Sequence, residues 1–301
     1  MCDALMQLDA ALKELDNLVG VPEVKASINA IVESMLSNYD KELQAQDTDA
    51  ICLNRVFVGN PGTGKTTVAK LYARILCAAG MLSKDDIVER TASDFMGDAV
   101  GVSAQRTINI LKLSEGKVLL IDEAYNLFDG RSVSSGNVSY GKQVCARTFH
   151  PKLHALAAVM ATALTALLLR QVLDTIVEKV SGSPGEDRAI IMIGYEHEMQ
   201  AMFRGSNPGL SRRFDSNHPW RFTDFSDDDL LQVAVDTLGP KAGMVPLDVT
   251  LHMVNKVSKQ RMLHNFGNAG LMKTVRCCAL HLVWRGSLLQ LCCDFIVVTI
   301  S

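Results

Sequence analysis

Arg55-Val56-Phe57-Val58-Gly59-Asn60-Pro61-Gly62-Thr63-Gly64-Lys65-Thr66-Thr67 decides how the rest of the chain is read. A short apolar strand runs into a glycine-rich turn and then into the start of a helix, and the turn matches the phosphate-loop pattern G-x-x-x-x-G-K-[ST] in the context that pattern requires. Gly59, Gly62 and Gly64 leave the backbone free of side chains. Successive N–H groups can then point inward at phosphate oxygens, with the positive end of the following helix behind them. In that reading Gly59 to Thr67 cradles a nucleotide, Lys65 sits on its β- and γ-phosphates, and the Thr66 hydroxyl takes Mg²⁺. The bland alternative is a glycine turn without a ligand, which leaves the coincidence of strand, loop, Lys-Thr pair and amphipathic helix unexplained.

Downstream, Lys117-Val118-Leu119-Leu120-Ile121-Asp122-Glu123 is an apolar run that ends in two carboxylates. Such a run suits a strand covered on both faces, and its C-terminal end is where ligands bind in open α/β sheets. Asp122 is expected to hold Mg²⁺ through water, and Glu123 to take the proton of an attacking water. A solvated acidic pair is the alternative. Ala189-Ile190-Ile191-Met192-Ile193-Gly194 repeats the buried-strand pattern, with Tyr195 and Glu196 at its functional end. Ile87 to Thr91 and Pro219 to Phe222 complete the strands.

Helical spacing covers Leu8 to Leu15, Glu23 to about Tyr39, Lys65 to about Ala79 with Gly80 ending it, Ser103 to Leu113, Glu196 to about Phe203, Asp227 to Leu238 and Leu247 to Gln260. Lys41 to Asp49 and Ser93 to Gly101 read as loops, and Asn207 to Phe214 as a turn. The expected domains are an α/β nucleotide-binding domain over 1–223, a helical lid over 224–270 and an atypical tail over 271–301.

Composition bounds the partners. The chain has 301 residues and a net charge of −3, with a pI near 6.2, and its Lys and Arg are scattered. A nucleic-acid surface is therefore not expected. The eight cysteines include the adjacent pairs Cys277-Cys278 and Cys292-Cys293. There is no C-x-x-C and no N-terminal signal segment, so reduced thiols and a cytoplasmic setting are the default, a nuclear one staying open. His150 and His154 have helical i, i+4 spacing but no accompanying carboxylate or cysteine, and a metal site there is not expected.

Five local motifs carry a family resemblance: Gly59 to Thr66, Ile121-Asp122-Glu123-Ala124, Gly194-Tyr195, Asn207-Pro208-Gly209-Leu210 with Arg213, and Phe266-Gly267-Asn268-Ala269. Together they resemble the AAA+ ATPases of the CbbX and SpoVK type, including related AAA domains in large fungal proteins. The resemblance covers about Leu15 to Gln143 and Val172 to Ala269. It implies a five-stranded parallel sheet between helices, a helical lid, Mg²⁺-dependent ATP hydrolysis, and a homo-oligomeric ring, a hexamer, acting on a protein client. Val19 and Gly20 would lie against the adenine. Arg213 would be an arginine finger reaching the neighbour's γ-phosphate, a contribution of about 10³ to 10⁵ in rate. Arg212 is a rival for that role, and a surface arginine paired with Asp215 is the structural alternative.

The departures from the family pattern matter as well. Gly270 stands where an arginine commonly follows Asn-Ala, Tyr195 replaces the polar residue expected after the fourth strand, and the loop Asp98-Ala99-Val100-Gly101 lacks an aromatic grip. A nucleotide-binding scaffold with negligible turnover therefore remains the second function class. The Rubisco-remodelling role of CbbX is not carried over.

Two stretches do not fit. Relatives pass almost directly from the position of Tyr140 to that of Val172, whereas here Val144 to Gln171 intervenes, alanine- and leucine-rich from Leu153 to Leu169. We read Val144 to Gln171 as a retained intron translated in frame. Val144-Cys145 can be spelled GTATGT, Leu164-Thr165 can contain CTAAC, and Gln171 can end in CAG. Translated, it is expected to add an extra helical piece. A membrane span from Leu153 to Leu169 is disfavoured by its shortness, by Thr162 and Thr165, and by the need to leave and re-enter the sheet within one crossover. In the second stretch, Leu271 to Ser301, the only acid is Asp294. It reads as a divergent lid helix with a strand-like tail, or as read-through from a second donor-like site at Val275-Arg276.

Overall fold

The computed structural model describes residues 2–97, 99, 101–128, 151–182, 186–238, 251, 254–255, 257–259 and 267–268, with 2, 3, 151–162, 237 and 238 described by backbone alone. Strands β1 (Arg55–Gly59), β2 (Ile87–Thr91), β3 (Val118–Asp122), β4 (Ala189–Gly194) and β5 (Trp220–Phe222) form one sheet in the order β2-β3-β4-β1-β5. The pairs β2 with β3, β3 with β4 and β4 with β1 are parallel. This is the five-stranded parallel sheet between helices that the sequence led us to expect.

Its three central strands are apolar along their buried stretches because both faces are covered. On one face Val56, Val58, Leu119, Ile121, Ile190 and Met192 join a buried cluster with Leu111, Leu173, Ile176, Phe203 and Phe214. On the other, Phe57 stacks on Trp220 at 5.1 Å between centroids, and Tyr72 meets the same ring edge-on at 5.2 Å. The Tyr72 hydroxyl donates to the Leu53 carbonyl at 3.2 Å, and burial pushes its pKa up to about 12. Asn54, buried ahead of β1, extends the pairing: its Oδ1 accepts from Ile190 N at 2.8 Å and its Nδ2 donates to Arg213 O at 3.2 Å.

Register places the strand ends. Val58 pairs with Gly194, Ile121 with Met192, and Thr91 with Asp122. The parallel strands β1, β3 and β4 therefore finish at one edge of the sheet, where Asp122 and Glu123 emerge and from which the chain continues past β1.

Helices α1 (Cys2–Asp16), α2 (Pro22–Leu43), α3 (Lys65–Ala78), α4 (Ala92–Phe95), α5 (Val102–Leu113), α6 (Pro151–Lys179), α7 (Glu196–Gly205), α8 (Pro208–Arg213) and α9 (Asp227–Leu238) surround or extend the sheet. Five differ from expectation. α1 begins earlier than Leu8, with Leu8, Ala11 and Leu15 buried one turn apart. α2 continues to Leu43, into the segment expected to be a loop.

Within the loop expected over Ser93 to Gly101 there is a single helical turn, α4. The Asp94 carboxylate accepts from the Thr91 N–H at 2.7 Å and from its hydroxyl at 3.1 Å, which closes that turn. The expected turn at Asn207 to Phe214 is the short helix α8, because Asn207 Oδ1 accepts from Gly209 N at 2.9 Å and Pro208 occupies the first helical position.

The largest difference concerns the intervening stretch. From Pro151 it does not form a separate piece: it is continuous with the expected Val172 to Val177 helix as α6. Leu168 and Leu169 are buried, while Leu164 and Leu167 are exposed. Gln171 Oε1 accepts from Gly101 N at 3.1 Å. No helix among the described residues is long and apolar enough to cross a membrane.

Asp98, Val100, Val144 to His150, Phe266, Ala269, Gly270 and the tail from Leu271 lie outside the described residues, as does the side chain of His154. Of the helix expected over Leu247 to Gln260, residues 251, 254, 255, 257 and 258 are helical. The chain divides into two compact units, one of Met1–Lys13, Ala26–Val58 and Ala69–Trp220, the other of Glu14–Lys25, Gly59–Val68 and Arg221–Ser301. Compactness thus groups the glycine loop with the segments after Arg221, where the boundary expected from the sequence ran along the chain at 223.

Candidate functional site

In the second unit, the loop after β1 has the backbone its glycines predict. Gly59, Gly62 and Gly64 have φ of +151°, +75° and +92°, conformations in which a side chain is strained. Gly59 has a second reason to lack one, since a Cβ there would stand 2.3 Å from the Phe222 carbonyl oxygen. The Lys65 ammonium lies across the loop and donates to the carbonyls of Gly59 at 2.9 Å and Asn60 at 2.6 Å. Thr63, buried, donates its hydroxyl to Asn60 O at 2.8 Å. Helical bonding begins at once, with Val68 N on Gly64 O at 2.9 Å. Pro61, Gly62, Thr66 and Thr67 are exposed, so the first turn of α3 presents both threonines to solvent.

Val19 and Gly20 sit in the turn between α1 and α2. Lys25 Nζ closes that turn on the carbonyls of Asp16 at 2.8 Å and Leu18 at 2.6 Å. Gly20 has φ +71°, and a Cβ there would meet the Phe225 ring at 2.9 Å. Val21, buried, also has a positive φ, 52°.

In the first unit, Asp122 and Glu123 emerge exposed from β3. Glu123 is left-handed at φ 49°, ψ 43°, a conformation that costs a non-glycine residue about 1–2 kcal/mol. Three bonds hold it there. Its N–H donates to Asp122 Oδ1 at 2.9 Å, its carbonyl accepts from Asn126 N at 2.9 Å, and its Oε2 accepts from Asn126 Nδ2 at 3.0 Å. Backbone strain in an acid at a strand end is a recurrent mark of functional sites. Asn126 was not among the residues expected to matter. Its spacing three residues after Glu123 becomes informative only once the 3-10 turn Ala124–Leu127 is known.

Gly194 closes β4 where a Cβ would collide with Met199 and Tyr125, at 2.7 and 2.8 Å. The half-buried Tyr195 ring lies 5.8 Å from that of Tyr125. Arg213, at the end of α8, directs its guanidinium onto its own chain: Nε donates to Val180 O and Nη1 to Gly209 O at 3.0 Å. Asp215, the acid expected as its alternative partner, instead pairs with His218 at 3.0 Å. Arg212 is exposed.

Nucleotide and magnesium chemistry fit these groups. The loop offers bare backbone amides and a lysine ammonium, which suit an anion. The Thr66 hydroxyl and the Asp122 carboxylate are the hard oxygen donors that Mg²⁺ prefers.

Comparison with known proteins agrees. A model of the ATPase family associated with various cellular activities (AAA) matches residues 55–163. The chain is 32% identical to stage V sporulation protein K of Bacillus subtilis over 74% of this chain and 58% of that protein. It is 30% identical to protein CfxQ of Xanthobacter flavus over 86% of this chain and 70% of that protein. To the chloroplastic ribulose bisphosphate carboxylase/oxygenase activase of Cyanidioschyzon merolae it is 31% identical, over 75% and 66% of the two. The chain thus spans less than two thirds of the length of some of the relatives that it matches.

Proposed function

Because the chain belongs to the ATPase family associated with various cellular activities, we propose that it binds Mg·ATP on the Gly59 to Thr67 loop and hydrolyses it to remodel a protein partner. The observation that carries this reading is the loop itself, whose left-handed glycines open its amides while Lys65 already lies across it. On triphosphate binding, Lys65 exchanges its two carbonyl acceptors for β- and γ-phosphate oxygens, a stronger charge-assisted contact. The turn at Val19 and Gly20 receives the adenine.

Thr66 and Asp122 would hold Mg²⁺, which when bound neutralises charge on the phosphates. Glu123, fixed by its backbone and by Asn126, orients the attacking water and accepts its proton. Arg213 acts in trans within a homo-oligomeric ring, a hexamer. To do so it gives up the carbonyls of Val180 and Gly209 for the neighbour's γ-phosphate, so assembly and repositioning of α8 are linked. Arg212, exposed beside it, is the rival for that role.

The test is steady-state ATP turnover against protein concentration. A ring enzyme gains specific activity on assembly. Glu123→Gln lowers kcat by about 10² to 10⁴ while retaining nucleotide. Nucleotide binding with no Glu123-dependent turnover would assign the chain instead to the class of nucleotide-gated scaffolds.

A further inference from the structure

Three residues far apart in the chain meet at one carboxylate. Asp224, half-buried just beyond β5, accepts from Asn60 Nδ2 at 3.0 Å on each of its oxygens and from Asn268 Nδ2 at 2.8 Å on Oδ1. Asn268 is fully buried and left-handed, with φ +41°. Its Oδ1 accepts from Phe225 N at 2.9 Å, and its Nδ2 also approaches the Pro61 carbonyl at 3.4 Å. The amide orientation is determined by its partners, since a flipped Asn268 would set N–H against N–H at Phe225 and oxygen against carboxylate at Asp224. Burying an asparagine amide at a positive φ is unfavourable on two counts, and complete hydrogen bonding to named partners offsets it.

We propose that Asp224 is a positioning residue that ties the phosphate loop, through Asn60, to the lid segment at Asn268, so that loop geometry and lid are set together. The proposal rests on the reading of that loop as the triphosphate site. Two consequences follow from the chemistry. Two amide donors blunt the Asp224 charge, so a carboxylate can stand beneath an anion-binding loop without repelling its ligand. Any movement of Asn60 that accompanies phosphate binding also loads the bond from Asn268 to Asp224, which gives the segment at Asn268 a direct mechanical report of occupancy. Charge-assisted bonds of this kind are about twice as strong as neutral ones, which suits a coupling element.

The test uses the full chain, with N-methylanthraniloyl-ATP and Mg²⁺ as the fluorescent probe and ATP for turnover. Asp224→Ala is expected to weaken probe binding about tenfold, the size of one charged hydrogen bond. It should raise KM while leaving kcat near that of the unsubstituted chain. A purely structural role would reduce the folded fraction, lowering apparent kcat and leaving KM alone. Asp224→Asn, which keeps the volume but not the charge, should fall between.

The decisive measurement is a double-mutant cycle of Asn60→Ala and Asn268→Gly, the latter chosen because glycine keeps the positive φ. The two changes should be non-additive in probe affinity, and the coupling should vanish in Asp224→Ala. Strict additivity, or affinity indifferent to Asp224→Ala in a chain that binds the probe, would overturn the tether alone. No probe binding by the unsubstituted chain would overturn the site reading and the tether with it.

Discussion

At Gly59 and Gly64 the same residue type answers two different physical demands. Both have positive φ, but a Cβ on Gly59 would lie 2.3 Å from the Phe222 carbonyl, whereas one on Gly64 would meet nothing within 4 Å. Gly64→Ala should therefore cost only the strain of its backbone, about 1–2 kcal/mol. Gly59→Ala must also displace β5 backbone and should exceed about 3 kcal/mol. Thermal unfolding of the two variants without nucleotide checks this order, and equal losses would mean that the Phe222 contact is unimportant.

The turn conformation of the loop glycines and the strand end at Asp122 were legible because glycine spacing and terminal acids are one-dimensional signals. The left-handed Glu123, its bond to Asn126 and the bond from Asn60 to Asp224 were not legible. The first is a property of one dihedral, and the last joins residues that only the fold brings together. The guanidinium of Arg213, turned onto Val180 and Gly209, also belongs to this class, since a motif carries no side-chain direction.

Among the elements, strands were read closely and short helices were missed. β1, β3 and β4 are apolar runs buried on both faces, a pattern that survives without knowledge of partners. α4, a single turn, and α8, a six-residue helix, are stabilised by a capping carboxylate at Asp94 and a capping amide at Asn207. The same Asn-Pro-Gly chemistry serves turns and helix starts alike, so its sequence is ambiguous between them.

α6 poses the sharper question, since its N-terminal part was expected to be foreign. Its buried side is specific. Leu169, 5% exposed, joins the core cluster, while Leu167 is 53% exposed. Leu169→Ala is expected to destabilise by about 2–5 kcal/mol. Leu167→Glu should stay within about 0.5 kcal/mol, as surface changes do. Denaturant midpoints at constant slope measure both, and a harmless Leu169→Ala would show that this turn of α6 does not pack as described.

For the whole molecule, the apolar stretch Val144 to Gln171 and the proposed ring are in tension. An insertion that presents Leu164 and Leu167 to solvent adds apolar surface that a closed ring must accommodate. Deleting Val144 to Gln171 is expected to raise soluble yield and ATP turnover per chain, and sequencing the gene beside the spliced transcript should find the segment bounded by GT and AG in the gene and absent from the transcript. Unchanged or poorer behaviour, or an uninterrupted gene, would make α6 native along its length. The individual strands could be anticipated from their apolar runs, whereas the five-stranded parallel topology was what the family resemblance implied. The grouping of Glu14–Lys25 and Gly59–Val68 with the segments after Arg221 could not be anticipated, because compactness is a property of contacts and not of chain order.

Retention of Mg·ATP by the purified chain, compared with Lys65→Ala in the same equilibrium dialysis, tests the central claim most directly. Stoichiometric retention that Lys65→Ala abolishes while the chain stays folded is the predicted result. No retained nucleotide, or retention indifferent to Lys65, would contradict it.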